Sequence, residues 1–310
     1  MSSLLSESLN TPSAAQAHLD RGFRFKQAGS VTRALESYND ALAAAGTSLV
    51  EAEARLRMAR VLRSTSRWDD AVREAREAVR IATESRVGDL AAEAMNVEIG
   101  VGLLRGDFDE ADDLAAKAMS LAQSARVRGI TLQNRGSIAA LRKNFSLAER
   151  LFAESVAAFR ESEYELGLAV ALVNAAAAAR DMEQPQRALR LSEEAADLCR
   201  RVNALDVLLV AVQNQASALV ALGRLDEAEA RLTEALGHFT SARNPIRQAE
   251  CLEIMGEMAA RGTGDVETAM RCYGRARDLA VAAGDRLLAE RLTQRIAGIE
   301  PPEGLRAPTV

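Results

Sequence analysis

Three sets of residues in this 310-residue chain have types and spacings that could do chemistry. The first is Arg57, Arg60 and Arg63, at every third position. On a helix that spacing makes one stripe of guanidinium groups, which favour planar contacts to carboxylates. The second is Asn134, Asn174 and Asn214, evenly spaced along the chain. An asparagine amide donates and accepts at once, so it can pair with both the N–H and the C=O of a passing peptide backbone. The third set is small and argues against catalysis. His18 and His238 sit in no HExxH motif and in no His–Cys pair with metal spacing. Cys199, Cys251 and Cys272 are odd in number and lack CxxC spacing, which suits reduced thiols and a cytoplasmic location. The glycines of GTGD at 262–265 lack the Lys-Ser/Thr of a phosphate loop and read as a turn. No GxSxG occurs. No catalytic residue, metal or cofactor is expected.

Composition says which elements must position these residues. Alanine makes up about a fifth of the chain and aromatics only 4%. Alanine is the best helix former, and the aromatic residues that fill sheets are scarce. A helical protein with closely approaching helices is expected. Length alone would suggest two domains. The net charge of −5 disfavours a dedicated nucleic-acid binder, which carries a basic domain. No apolar run is long enough for a membrane span, so no membrane insertion is expected. The opening MSSLLSESLN has neither the basic nor the apolar segment of a signal peptide.

The chain repeats. Ala34, Ala71, Ala111, Ala148, Ala188, Ala228 and Ala269 recur in steps of 37, 40, 37, 40, 40 and 41. Three positions before each stands an apolar residue or proline: Val31, Trp68, Phe108, Phe145, Pro185, Leu225 and Val266. One position earlier come Ser30, Asp107, Asn144 and Asp265, all good N-caps. Acidic residues such as Asp69, Asp70, Asp109 and Glu110 follow where they complement a helix dipole. Each alanine therefore marks the opening turn of a helix. Another helical stretch lies upstream of it across a short polar turn, so the two are antiparallel neighbours. Seven such pairs in tandem make a solenoid.

Within the units, Gly22 precedes Ala34, Tyr38 and Ala41. Gly136 precedes Ala148 and Phe152, and Gly256 precedes Ala269, Tyr273 and Ala276. Repeat six reads LGRLDEAEARLTEAL. This pattern, spanning positions 13–283, resembles the tetratricopeptide repeat (TPR) in a long-period bacterial form. The period exceeds the family's usual 34, so helices or turns are extended. The resemblance implies an all-α, right-handed superhelical solenoid of about seven antiparallel helix pairs. Residues 13–298 would be one domain, closed by an amphipathic capping helix at 285–298. Residues 1–12 would be a flexible leader and 299–310 a flexible tail.

The resemblance also implies a concave groove lined by the first helices. The asparagines then come with neighbours on the same helical face: Ile130, Val170 and Val210 four positions earlier, Gln133, Val173 and Gln213 just before, Ser137, Ala177 and Ser217 three later. In the family, asparagine ladders at this phase hold extended peptides, and basic residues of some members clamp a C-terminal carboxylate. Local alternatives remain open. The asparagines could bond to neighbouring helices, and the arginines could pair with Glu53, Glu93 or Asp20. The expected function is a non-catalytic scaffold or adaptor that binds a peptide or protein partner in the groove. The alternatives are a ligand- or peptide-responsive regulator acting on a separate effector, and a structural subunit of an assembly. Oligomeric state and the partner's identity are not fixed by the sequence.

Overall fold

The computed structural model describes residues 13–299, apart from Ala242 and the side chain of Leu205. The leader expected at 1–12 and the tail from 300 onward lie outside the described residues. All regular structure among the described residues is helical. The chain divides into two compact units, residues 1–167 and 168–310.

The first unit holds four helix pairs: α1 (Ala14–Gln27) with α2 (Val31–Ala43), α3 (Ser48–Ser64) with α4 (Trp68–Glu84), α5 (Gly88–Arg105) with α6 (Phe108–Leu121), and α7 (Ala125–Leu141) with α8 (Phe145–Glu161). Helix α9 (Glu165–Asp181) starts at its edge and belongs to the second unit from Leu168 onward. The second unit continues with α10 (Pro185–Arg201), α11 (Leu205–Ala221), α12 (Leu225–Ser241), α13 (Pro245–Met258), α14 (Val266–Ala282) and α15 (Arg286–Ala297). These are the seven expected pairs and the additional helix. The expected cap at 285–298 is α15, with Asp285 as its N-cap accepting from the Leu288 N–H.

A repeated turn sets the period. Helices such as α3, α4, α8 and α10 each have 17 residues. Three turn residues follow such a helix, so helix and turn together make half of the regular step between anchors. At most joints the middle turn residue is left-handed: Ser66, Arg86, Lys143, Glu163, Glu183, Asn203 and Arg243, or a glycine such as Gly29, Gly223 and Gly284. The next N–H reaches back five positions, as in Asn144 to Ala139, Gln184 to Ala179 and Arg224 to Leu219. This closure satisfies carbonyls that a helix end leaves open.

The departures from the regular step have local causes. Helix α2 has 13 residues and α6 has 14 residues, and these two short helices produce the two shorter steps. After α6 the chain turns extended at Ala122 instead of left-handed. There the carboxylate of Asp89 accepts from the backbone N–H of Gln123 at 2.7 Å and of Ser124 at 3.1 Å. The longest step comes from a π-helical turn, Ala259–Thr263, that carries one additional residue at the end of α13. The GTGD segment falls here, with Gly264 left-handed.

The anchor alanines are all buried. Small residues on first helices seat rings from second helices. A Cβ placed on Gly136 would stand 2.6 Å from Phe152 Cε1, and one on Gly256 would stand 2.7 Å from Tyr273 Cε1. Gly22 likewise faces Tyr38, whose ring is buried. Trp68 is half-buried against the cluster of Leu19, Tyr38, Val61 and Leu62. Of the expected N-caps, Asn144 and Asp265 accept from the N–H three positions on, while Ser30 and Asp107 occupy the cap position without that bond.

Candidate peptide-binding face

In the first unit, consecutive first helices pack directly on one another, α1 on α3, α3 on α5 and α5 on α7. The second helices lie against the flanking first helices instead. Two helix layers with closer spacing in one of them curve toward that layer, so the first helices form the inner side of this unit.

The phase of the asparagines has a structural explanation within each unit. Asn134 lies on α7, half-buried, and its amide N–H donates to Asn96 Oδ1 on α5 at 2.8 Å. Asn96 in turn donates to the Ala92 carbonyl and to Thr131 Oγ1, both at 2.9 Å. Asn214 lies on α11, buried, and donates to the Val173 carbonyl of α9 at 3.1 Å. Arg57 holds the equivalent repeat position on α3, and it donates to the Leu19 carbonyl of α1 at 3.2 Å. In all three cases the donor, fourteen before its anchor, bonds to the residue fifteen before the preceding anchor. This position staples one first helix to the one before it. Asn174 holds the same position on α9 and is half-buried.

The neighbours of the asparagines divide. Ile130, Gln133 and Ser137 on α7 are half-buried, as are Val170 on α9 and Val210, Gln213 and Ser217 on α11. Ser137 donates to the Gln133 carbonyl inside its own helix. Gln213 donates to Glu250 on α13 at 3.2 Å. Ser217 lines a cleft of about 510 Å³ in the second unit, with Arg180, Val220, Ile254, Glu257 and Arg261. Arg261 comes from the π turn.

The arginine stripe is only partly neutralised. Arg57 pairs with Glu53 at 2.5 Å, and Arg60 pairs with Glu93. Glu93 is shared with Arg126 of α7. Among the described residues Asp20 pairs with no arginine and accepts instead from Gln16. Arg63 lies against the backbone of α5 at Gly100, where a Cβ would collide with its guanidinium. No carboxylate among the described residues pairs with Arg63. A cleft of about 290 Å³ opens here, lined by Phe23, Lys26, Glu53, Arg57, Arg60, Glu93 and Arg126 among others. Lys26 and Phe23 on α1 and Arg126 on α7 are members the sequence reading missed. Lys26 and Phe23 do carry a signal in repeat phase, standing eight and eleven positions before Ala34 as Arg63 and Arg60 stand before Ala71.

Among the described residues no group of three His, Cys, Asp or Glu is placed to hold a metal ion. The three cysteines are buried. Burial, with Glu250 adding to it, pushes the Cys251 thiol up to about 12, so it stays protonated and a poor nucleophile. No described helix is long and apolar enough to cross a membrane.

No family model matches the chain, and no curated protein matches it. Solved structures do. The chain is similar to the apo form of the quorum sensor NprR from B. thuringiensis, at 16% identity and a TM-score of 0.67, covering 86% of this chain and 76% of that one. It is similar to a Rap protein complexed with Competence and Sporulation Factor, at 15% identity and a TM-score of 0.66, covering 90% and 76%. A tetratricopeptide repeat protein from Parabacteroides merdae matches at 12% identity and a TM-score of 0.55, covering 91% and 100%. The fold is therefore that of tetratricopeptide-type helical proteins.

Proposed function

We propose that residues 13–298 form a non-catalytic protein-interaction domain whose first helices receive an extended peptide or a helix of a partner. The observation that carries this is the presence, in each unit, of an open cleft lined chiefly by successive first helices. The clefts mix apolar floor with charged and hydroxyl side chains, a lining suited to a polypeptide. Likeness in fold to a quorum sensor and to a protein complexed with a named factor agrees with a binding role. The staple bonds refine the reading: Asn214 is committed to the fold, while Asn134 keeps its carbonyl oxygen for a ligand's N–H.

The test is peptide display on the whole chain, followed by titration of the selected peptides against Arg60→Glu and Ser217→Trp. One reverses charge in the first cleft and the other fills the second. At least one variant is expected to lose about tenfold or more in affinity with helical content unchanged. Full affinity in both would sink the proposal.

A further inference from the structure

The first-unit cleft holds more positive charge than its own carboxylates neutralise. Lys26, Arg57, Arg60 and Arg126 line it, and Arg63 adjoins it one turn beyond Arg60. Glu53 and Glu93 are the acidic residues that face them. Neither Lys26 nor Arg63 has a carboxylate partner among the described residues. The excess stands out in a chain whose net charge is −5.

Lys26 and Arg63 feel this. Burial, and then Arg60 and Arg63, push the Lys26 ammonium below its ordinary value. Burial, and then Arg60, do the same to the Arg63 guanidinium. Lys26 is exposed, but Arg63 is half-buried, and a half-buried cation beside other cations is costly unless an anion joins it. Gly100 makes the space in which the Arg63 side chain lies.

We propose that this cleft binds an acidic segment of a partner polypeptide, with its carboxylates on Lys26, Arg60 and Arg63. This rests on the reading of the first helices as a peptide-binding face and names the chemistry of the peptide. Phosphate sites commonly recruit backbone N–H groups at helix N-termini. Here Lys26, Arg60 and Arg63 project from the middle or the last turn of a helix. With Arg126 they form a set of side-chain donors spread over α1, α3 and α7. Such a spread matches several carboxylates along a chain better than one compact anion. Phe23, 47% exposed at the cleft, supplies apolar surface for the segment's other side chains.

The experiment is fluorescence anisotropy on the full chain with labelled hexaglutamate, with hexaserine and inorganic phosphate as comparisons. Lys26→Met with Arg63→Met removes two cations that make no ion pair among the described residues and keeps unbranched apolar stems, with helical content measured alongside. Lys117→Met with Lys143→Met removes the same charge from outside the cleft. Hexaglutamate is expected to bind wild type, and the first double variant to weaken it about tenfold or more. The second should change it by no more than about twofold. Equal losses in both variants would reduce the effect to bulk charge and overturn the proposal. Competition by phosphate at the concentration of the peptide's carboxylates would also overturn it, in favour of a phosphate site. If display-selected neutral peptides bind and hexaglutamate does not, the acidic preference falls and peptide binding stands.

Discussion

On α3 of the first unit, three successive turns of the inner face carry Arg57, Arg60 and Arg63; on α11 of the second unit the same repeat positions carry Asn214, Ser217 and Val220. Arg57 and Asn214 do the same structural work, each donating to a carbonyl on the preceding first helix of its own unit. The two following positions share nothing chemically. Arg60 and Arg63 bring charge to a cleft, whereas Ser217 and Val220 line one with a hydroxyl and an isopropyl group. The difference teaches that repeat phase fixes architecture at some positions and leaves others free for recognition. Recurrence of a residue type at one phase is thus weak evidence for a ligand contact when the recurring group bonds within the scaffold.

The comparison can be broken where it claims the units are alike. Gly136→Val in the first unit and Gly256→Val in the second put a side chain against a buried ring. Each should destabilise by about 3 kcal/mol, because the ring must leave its position in a packed core. Similar losses in chemical denaturation would confirm a shared frame, and a loss in one alone would deny it. Next in size is the staple. Asn214→Ala should cost about 2 kcal/mol, since it deletes a buried amide that donates to Val173 and accepts from Arg180. Asn134→Ala, half-buried and with one staple bond, should cost about half as much, with a larger relative effect on peptide affinity. Equal stability losses would mean that the two amides are equally committed.

The smallest effect concerns the joints. Left-handed turns close by backbone bonds, but the α6–α7 joint depends on Asp89. Burial alone would raise that carboxyl, and the N–H groups of Gln123 and Ser124 outweigh it, holding the carboxyl below its usual range. A depressed folded-state value stabilises above the unfolded value and loses that contribution as pH falls through the folded one. Asp89→Asn should therefore cost about 1 kcal/mol at neutral pH and progressively less under acid, read by denaturation at several pH values. A cost that persists below the carboxylate range would remove ionisation from the account.

Most of the fold was legible because the anchor alanines and the apolar residue before each are dictated by local packing. Ala34 through Ala269 and the start of every second helix fell where the pattern put them. The two shorter steps were visible as numbers, but their cause was not. It lies in the short α2 and α6 and in a carboxylate distant in sequence from the backbone it serves. The cleft was half legible. The stripe Arg57, Arg60 and Arg63 could be read from helical spacing, and two of its partners, Glu53 and Glu93, were among the alternatives. Lys26 and Phe23 stand eight and eleven positions before Ala34, the phases that Arg63 and Arg60 hold before Ala71, so repeat phase could have found them; Arg126, in the first turn of α7, shares neither phase and could not be found that way. That Asn134 and Asn214 bond to a neighbouring helix was among the alternatives, but the groups they reach, a side chain and a carbonyl, could not be named, because no spacing within one helix reveals them.

The π turn at Ala259–Thr263 bears on how such a chain can change over generations. Gly22 and Tyr38 are separated by the same interval as Gly136 and Phe152, whereas the interval from Gly256 to Tyr273 is longer by one. The contact survives the added residue because the widened turn absorbs it before α14 begins. A single-codon insertion at a helix end is therefore a mutation this architecture can tolerate. Downstream repeats keep their own pairing, and length drift accumulates at the joints without erasing the faces that do the binding.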